Sequence, residues 1–191
     1  MLRSLTVAAL AGLGLMASAA NAYEIDPLTR QPLIQYADPA KAQATTIPRE
    51  IVSYQTRHPV GTIVVDTAER RLYLVMPNGQ AMRYGVGVGR PGFDWAGSQR
   101  ITRKAEWPSW TPPAQMLKRR PDLPRFMPGG PENPMGARAL YLGSTLYRIH
   151  GSNEPETIGQ AVSSGCIRML NEDVIDLYER VKVGTRVVVA R

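Results

Sequence analysis

The chain has 191 residues, with 23 Lys and Arg against 16 Asp and Glu, and a net charge of +7 at pH 7. The charge is spread along the sequence without a basic helix, an aromatic stacking platform or a cluster of zinc ligands, which argues against a nucleic-acid-binding protein. The excess of cations favours an acidic partner such as an anionic cell-wall polymer or a membrane surface. The length favours one well-buried domain.

Residues 1–22 have the pattern of a cleavable export signal. A positive charge at the third residue precedes a short apolar core at residues 5–20, and a small-x-small cleavage site follows. The apolar core is shorter than the ~20 residues of a membrane-spanning helix. The pattern predicts an exported, periplasmic protein whose mature chain begins at Tyr23 and carries no transmembrane segment.

The chain contains a single cysteine, Cys166. An exported protein enters an oxidising compartment, where paired cysteines form disulfides, but one cysteine cannot form an internal bridge. The thiol is therefore buried, paired with another chain, or used chemically.

After the signal, residues 23–58 lack periodicity and contain several prolines, which predicts an extended arm before a folded domain at residues 59–191. Within the domain, residues 61–66 and 71–75 are β-rich runs joined by a polar turn, and a further strand is expected at residues 80–88. These runs predict a meander of short antiparallel strands.

The glycines at Gly85, Gly87 and Gly89 resemble a phosphate-binding loop, but their context does not fit one. Pro91 follows them, no helical pattern begins, and the glycines recur at strand spacing. Close approach of backbones inside a sheet explains them better than nucleotide binding.

Two irregular segments come next. Residues 107–113 are too proline-rich for a helix or a central strand, so Trp107 and Trp110 are expected on a rigid loop, either lining a cleft or capping the core. Residues 119–136 contain five prolines and predict a long excursion, of a length typical of a functional flap.

Regular structure resumes with strand-like runs at residues 139–142 and 146–149, the second of which ends at His150. An amphipathic helix is predicted behind Asn171 as its cap and before Gly184 as its stop. Residues 185–190 read as a closing buried strand. The elements together predict a mainly β domain with one or two helices.

A cysteine attacks a carbonyl as its thiolate, so it needs a base nearby or a positive environment. Of the two histidines, His58 lies in a polar segment, whereas His150 ends a strand and precedes Gly151. Sixteen positions separate His150 from Cys166, which permits contact without requiring it. A structural histidine therefore stays open as the alternative.

Small residues, Ser163, Ser164 and Gly165, stand directly before Cys166. They allow a tight turn that presents the thiol together with backbone N–H groups, and the N–H groups of Gly165 and Cys166 are candidates for an oxyanion hole. Arg168 is placed to bind a substrate carboxylate or to favour the thiolate. The alternatives are an ordinary turn with a buried thiol and a solvated arginine.

These segments resemble the signature of the L,D-transpeptidase catalytic domain family, which joins a His-Gly at a strand end to a Ser-x-Gly-Cys-[Ile/Val]-Arg run. Here the two parts are His150-Gly151 and residues 163–168. The resemblance runs from about Gly61 to Val189 and includes residues 133–136. It implies a mainly β fold: an L,D-transpeptidase-type β-sandwich of mixed short strands with one or two helices and a long flap loop.

The resemblance also implies a reaction on peptidoglycan stem peptides. Cys166 would attack the bond after the third residue, expel the terminal D-alanine and form an acyl-enzyme, with His150 as base and the Gly151 carbonyl orienting the imidazole. An amine of a second stem peptide, or of an envelope protein, would accept the acyl group. No metal or organic cofactor is required, and carbapenems should react with the thiol.

Arg168, Ser163 and Ser164 are implied as substrate-binding residues. One departure concerns Ser164, because many family members carry a second histidine directly before the Gly-Cys pair. This change leaves nucleophile and base in place but makes the role of position 164 an open question.

Three alternatives remain. In a hydrolase of the same fold, water would accept the acyl group, giving an L,D-carboxypeptidase or a protein-releasing amidase. In a non-catalytic wall-binding module, Cys166 would be inert and would not react with a carbapenem. A papain-like protease fits poorly, because its cysteine precedes its histidine and begins a long helix.

Overall fold

The computed structural model describes residues 47–191, which fold mainly into β-structure. The predicted export signal at residues 1–22 and most of the predicted arm lie outside the described residues. The last part of that arm contains a strand, at Glu50–Ser53, which pairs with the sheet of the domain. In the described part of the chain, no helix is long and apolar enough to cross a membrane.

The described residues form eleven strands and two α-helices. The strands are β1 (Glu50–Ser53), β2 (Ile63–Asp66), β3 (Arg71–Met76), β4 (Gln80–Gly85), β5 (Val88–Gly89), β6 (Gly97–Glu106), β7 (Arg138–Leu142), β8 (Arg148–His150), β9 (Ala161–Ser163), β10 (Ile167–Arg168) and β11 (Arg186–Ala190). The helices are α1 (Ala114–Arg119) and α2 (Asn171–Arg180).

Nine strands form one sheet in the order β1-β4-β3-β2-β11-β6-β7-β8-β10, and β5 pairs with β9 in a second, two-stranded sheet. The predicted meander is confirmed, because β2, β3 and β4 are consecutive antiparallel neighbours. The predicted closing strand is β11, which runs parallel to β2 and antiparallel to β6. Strand β11 thereby joins the meander to the half of the sheet that carries His150.

The main core collects apolar side chains from both halves of this curled sheet, together with one face of α2. Fully buried members are Ile63, Leu72, Tyr84, Ile101, Leu140, Ile149, Ile167, Val174 and Leu177. Burying each such side chain stabilises the fold by about 1.5–3 kcal/mol. Ile149 of β8 and Ile167 of β10 belong to this core, so packing holds the backbones of these two strands in place.

The longest strand, β6, was not predicted from the sequence, although it lies between β11 and β7. Its charged residues obscure the alternation that marks a strand, and Ile101 is its only fully buried residue among those described. Lys104 is accommodated because its Nζ donates to the carbonyls of Tyr178 and Val181, at 2.6 and 2.8 Å. These carbonyls lie at the C-terminal end of α2, where a cation is favoured.

The amphipathic helix is confirmed as α2, but the predicted cap is wrong. Asn171 is the first residue inside the helix, Leu170 occupies the N-cap position without a side-chain bond, and the helix ends at Arg180, before Gly184. Asn171 directs its side chain towards two neighbouring loops, as described below.

The glycine-rich run lies in β-structure, as expected, but the strand predicted at residues 80–88 is interrupted. Gly85 ends β4 of the large sheet, and Gly89 lies in β5 of the two-stranded sheet. The N–H of Gly87 donates to the carbonyl of Arg168 at 2.9 Å, and the N–H of Arg168 donates back at 2.8 Å. A Cβ on Gly87 would lie 2.7 Å from the carbonyl oxygen of Thr157. Close backbone approach therefore explains this glycine.

The rigid loop predicted at residues 107–113 and the flap predicted at residues 119–136 are joined by one short helix, α1. The whole segment, residues 107–136, is called the flap below. Helix α1 begins directly after two prolines and was not predicted, although proline is tolerated at a helix start. Trp110 and Met127 exchange two backbone hydrogen bonds of 2.8 Å, which close the segment on itself.

Candidate functional site

The parallel pairing of β8 with β10 brings the two candidate residues together. Ile149 lies opposite Ile167, and His150 lies opposite Arg168. Both isoleucines are buried in the core, so the residues beside them in each strand point to the other face. Cys166 directly precedes β10, two residues before the Arg168 that pairs with His150, and therefore lies on the same face of the sheet as His150.

The thiol and the imidazole line one cavity of about 500 Å³. Trp110, Met116 and Arg119 of the flap line the same cavity, so one of the two predicted roles for the indoles is confirmed for Trp110. His58 is absent from its lining. One wall of the cavity is therefore formed by the strands that carry His150 and Cys166, and the other by the flap.

His150 is 5% exposed, and its Nδ1 lies 2.6 Å from the carbonyl oxygen of Gly151. Because a carbonyl only accepts, this contact places the proton on Nδ1 and leaves Nε2 as the basic nitrogen. Burial, with the nearby Arg168 and Arg148 guanidiniums, lowers the pKa of His150 to about 4, against the raising effect of the backbone of Gly151 and Met135. The imidazole is neutral near pH 7 and can accept a proton.

Cys166 is half-buried, and its Sγ lies 3.7 Å from the carbonyl oxygen of Leu146. Burial raises the pKa of the Cys166 thiol, and the neighbouring Arg148, followed by Arg168, acts in the opposite direction. The hydrogen bond to Leu146 keeps the proton on sulfur.

Ser163 builds the turn that holds the thiol. Its hydroxyl donates to the carbonyl of Cys166 at 2.6 Å and accepts the N–H of Gly165 at 3.1 Å. The side chain is buried, which places its hydroxyl in the turn. Of the two N–H groups predicted for an oxyanion hole, that of Gly165 is bonded within the turn, and that of Cys166 has no partner within residues 47–191.

Gly165 occupies a position that only glycine fits. Its φ is +104°, in the left-handed region, and a Cβ there would lie 2.5 Å from the ring of Tyr147. Trp95 stacks on Tyr147 with ring centroids 4.6 Å apart and donates its Nε1–H to the carbonyl of Gly165 at 2.8 Å. Trp95 and Tyr147 therefore pack against the turn at Gly165, and neither was predicted from the sequence.

Arg168 lines the cavity, but its guanidinium already has a partner. Its Nη1 donates to Glu154 Oε2 at 2.6 Å and to Thr157 Oγ1 at 3.4 Å. Arg148 lies closer to the thiol in the strand register and donates to the Leu146 carbonyl that the thiol contacts, at 2.9 Å. Arg148 was not predicted, because nothing in the sequence around it separates it from a solvated arginine.

Ser164 also lines the cavity, and its Oγ accepts from Arg90 Nη1 at 3.2 Å. The guanidinium of Arg90 lies over the ring of Phe93 at 4.0 Å from its centroid, and that of Arg119 lies 5.1 Å from the same centroid. Phe93 thus links the serine turn to the flap helix α1 through cation–π contacts. Arg90 and Phe93 were not predicted either.

Within the described residues, no group of three or more His, Cys, Asp or Glu side chains could hold a metal ion. The titratable side chains that line the cavity are one thiol, one imidazole and several guanidiniums.

Comparison with known proteins gives a consistent result. A family model of the L,D-transpeptidase catalytic domain matches residues 61–189. The chain is 40% identical over 158 residues to the probable L,D-transpeptidase ErfK/SrfK of Escherichia coli K12, a match that covers 78% of this chain and 49% of that protein. The chain therefore spans about half the length of the curated relatives it matches.

Solved structures agree on the fold. The L,D-transpeptidase 3 of Mycobacterium tuberculosis, solved with a faropenem-derived adduct, superposes with a TM-score of 0.53 at 18% identity, covering 70% of this chain and 61% of that one. A Brucella melitensis protein described as a probable carnitine operon oxidoreductase is 44% identical, with a TM-score of 0.52, covering 78% of this chain and 97% of that one.

Proposed function

The chain belongs to the L,D-transpeptidase catalytic domain family, and from that premise we propose that Cys166 forms an acyl-enzyme with peptidoglycan tetrapeptide stems. His150 is the general base in this proposal. The acyl group then passes to an amine of a second stem peptide or of an envelope protein. The reaction takes place outside the cytoplasm, after removal of residues 1–22.

The observation that carries the proposal is the register of β8 and β10. It places the chain's single thiol and a buried neutral imidazole on the same face of two strands that the core holds in place. The Gly151 carbonyl accepts from Nδ1 and leaves Nε2 as the basic nitrogen of the imidazole. A nucleophile, a base and a group that orients the base are the parts that covalent catalysis by cysteine requires.

The proposed acylation begins when Sγ leaves the Leu146 carbonyl and passes its proton to Nε2 of His150. The sulfur bonds to the carbonyl carbon of the third residue, and the Cys166 N–H stabilises the oxyanion, a contact worth about 3 kcal/mol in comparable sites. The C–N bond to the terminal D-alanine then breaks, and the departing amine takes the proton from the imidazolium. The result is a thioester on Cys166.

In the second half of the reaction, an acceptor amine attacks the thioester and His150 removes a proton from it. The C–S bond breaks and the thiolate recovers its proton, which restores the starting enzyme. If water took the place of the amine, the same steps would release a free tripeptide, and the protein would be a carboxypeptidase.

The charge of the cavity supports an anionic substrate. Arg90, Arg119 and Arg148 line or border the cavity, and within the described part of the chain none of them forms a salt bridge. Stem peptides carry carboxylates, which guanidinium groups bind in a bidentate manner. Arg168 contributes less in this proposal, because Glu154 already occupies its guanidinium.

The test is to incubate the mature protein with purified stem tetrapeptide and to identify the products by mass spectrometry. The proposal predicts loss of D-alanine and a cross-linked dimer, both abolished in Cys166→Ala. Free tripeptide as the sole product would establish the hydrolase instead. No turnover by the intact, folded protein with any acceptor amine would contradict the proposal and favour a non-catalytic wall-binding module.

A further inference from the structure

The side chain of Asn171 connects two loops that lead to and from the strand pair of the site. Its Oδ1 accepts the backbone N–H of Ala137 at 2.8 Å, and its Nδ2 donates to the carbonyl of Ser152 at 3.2 Å. A backbone N–H only donates and a carbonyl only accepts, so the orientation of the amide is determined by its partners. An aspartate or an aliphatic residue cannot satisfy both.

Two glycines make room for this amide. Gly136 has a φ of +62° and precedes β7, and Gly151 directly follows His150. A Cβ on either glycine would overlap Oδ1 of Asn171, and a Cβ on Gly136 would also lie 2.5 Å from the carbonyl carbon of Gly151. Three chain segments therefore meet at one side-chain amide, with no space left between them.

The peptide group held at this point is the one that orients His150. The carbonyl of Gly151 contacts Nδ1 of the imidazole at 2.6 Å. Before that carbonyl in the chain, the Gly151 N–H donates to the backbone carbonyl of Arg138 at 3.0 Å. After it, the carbonyl of Ser152 accepts from Asn171. Loss of the Asn171 contact would leave the peptide fixed at one end only.

We propose that Asn171 is a positioning residue that sets the Gly151 carbonyl and thereby the tautomer and orientation of His150. This inference rests on the proposed function for the role of His150 as base. The geometry differs from that of a helix cap, because both bonds of the Asn171 side chain lead away from α2. A cap would affect the helix, whereas this contact acts on a loop that belongs to the site.

The test compares Asn171→Asp and Asn171→Ala with Glu172→Gln, a change at the next, exposed residue of α2. The Asp variant keeps the shape and the acceptor for Ala137 but replaces the donor to Ser152 by a second acceptor. The readout is the ¹⁵N spectrum of the His150 ring, which reports which nitrogen carries the proton. Thermal unfolding is measured in parallel, and spectra are read on folded protein.

The wild type and Glu172→Gln should show a single Nδ1–H tautomer, and both Asn171 variants should show a mixture. Acylation of Cys166 by a carbapenem should slow by up to about 100-fold in the variants, as expected for a misplaced base. Should Asn171→Ala not fold, the isosteric Asp variant provides the test.

A folded Asn171→Asp protein with the wild-type tautomer and acylation within twofold of wild type would overturn the inference, since a purely structural residue would lower only the unfolding temperature. Failure of the proposed function looks different. In that case the wild type itself would not be acylated, while the ring spectrum would still report on Asn171.

Discussion

The two sides of the cavity are built in different ways. On the strand side, β8, β10 and the turn at residues 163–166 hold the thiol and the imidazole by ladder pairing, a buried serine hydroxyl and packed aromatic rings. On the flap side, residues 107–136 contain one short helix without buried residues and one isolated bridge. The difference teaches that chemical geometry is held by the core, whereas contacts for recognition are left to a loop.

The comparison assigns separate consequences to the two sides. Changes on the strand side should affect the rate of bond formation or the stability of the fold. Changes on the flap side should affect substrate binding and leave reaction with a small thiol reagent unchanged.

The largest effect is expected for His150→Gln. A positioned general base contributes about 10²- to 10⁴-fold to rate, so acylation by a carbapenem should fall by that range. The matched control is His58→Gln, since His58 does not line the cavity. Stopped-flow fluorescence or intact-mass kinetics measures both. Equal rates in the two variants would show that the imidazole of His150 is structural.

Gly165→Ala should destabilise the protein for two reasons. The residue has a φ of +104°, a conformation that costs about 1–3 kcal/mol for other residues, and the new Cβ would press on Tyr147, at a further cost of about 1–3 kcal/mol. Gly184→Ala is the control, because φ there is +92° but no atom lies within 4 Å of the added Cβ. Denaturant unfolding should separate the two. An equal loss of unfolding free energy in the two variants would mean that the Tyr147 ring moves aside without cost.

The third prediction concerns pH. The pKa of His150 is lowered to about 4 from its ordinary 6.5, so the unfolded chain binds protons more readily than the folded chain between these values. The contribution of His150 to the free energy of unfolding should therefore fall by about 3 kcal/mol as pH falls from 6.5 to 4. Burial raises the pKa of Asp173 to about 6, so this group stabilises the folded chain as pH falls, in the wild type and in a His150→Gln variant alike.

Comparison of wild type with His150→Gln isolates the histidine, because the variant keeps Asp173. Urea unfolding at several pH values measures the difference between the two stability curves. Parallel curves from pH 7 to 4 would show that the imidazole is not buried in its neutral form.

The smallest effect is expected on the flap. Arg119 is exposed and forms no ion pair within the described residues, so Arg119→Gln should raise KM for an anionic stem peptide by about two- to fivefold. The rate at which iodoacetamide alkylates Cys166 should be the same in this variant as in the wild type. Arg125→Gln, also on the flap but outside the cavity lining, serves as control. A change in the alkylation rate would contradict the separation of the two sides.

The sequence predicted the strands whose residues alternate or are apolar throughout, and the residues whose chemical type is rare in this chain. Cys166 is the single thiol and His150 is one of two histidines, so both could be found without a structure. The polar strand β6 could not, because Lys104 is partly buried against carbonyls at the C-terminal end of α2, and a local pattern does not contain these partners.

Residues that act through tertiary contacts were missed for the same reason. Asn171, Trp95 and Arg148 are ordinary residue types whose roles depend on partners at least nineteen positions away or on strand register. Ser163 was expected at the substrate; it lines the cavity, and its hydroxyl is bonded within its own turn. The spacing of motif residues along the chain does not show which hydrogen bonds a turn completes internally.

The most direct test of the central claim is to treat the mature protein with a carbapenem and to map the modified peptide by mass spectrometry. Opening of the β-lactam ring releases no leaving group, so the account predicts a mass increase of one intact carbapenem, located on Cys166 and formed far more slowly in His150→Gln. A folded protein whose Cys166 reacts with iodoacetamide but not with the carbapenem would contradict it.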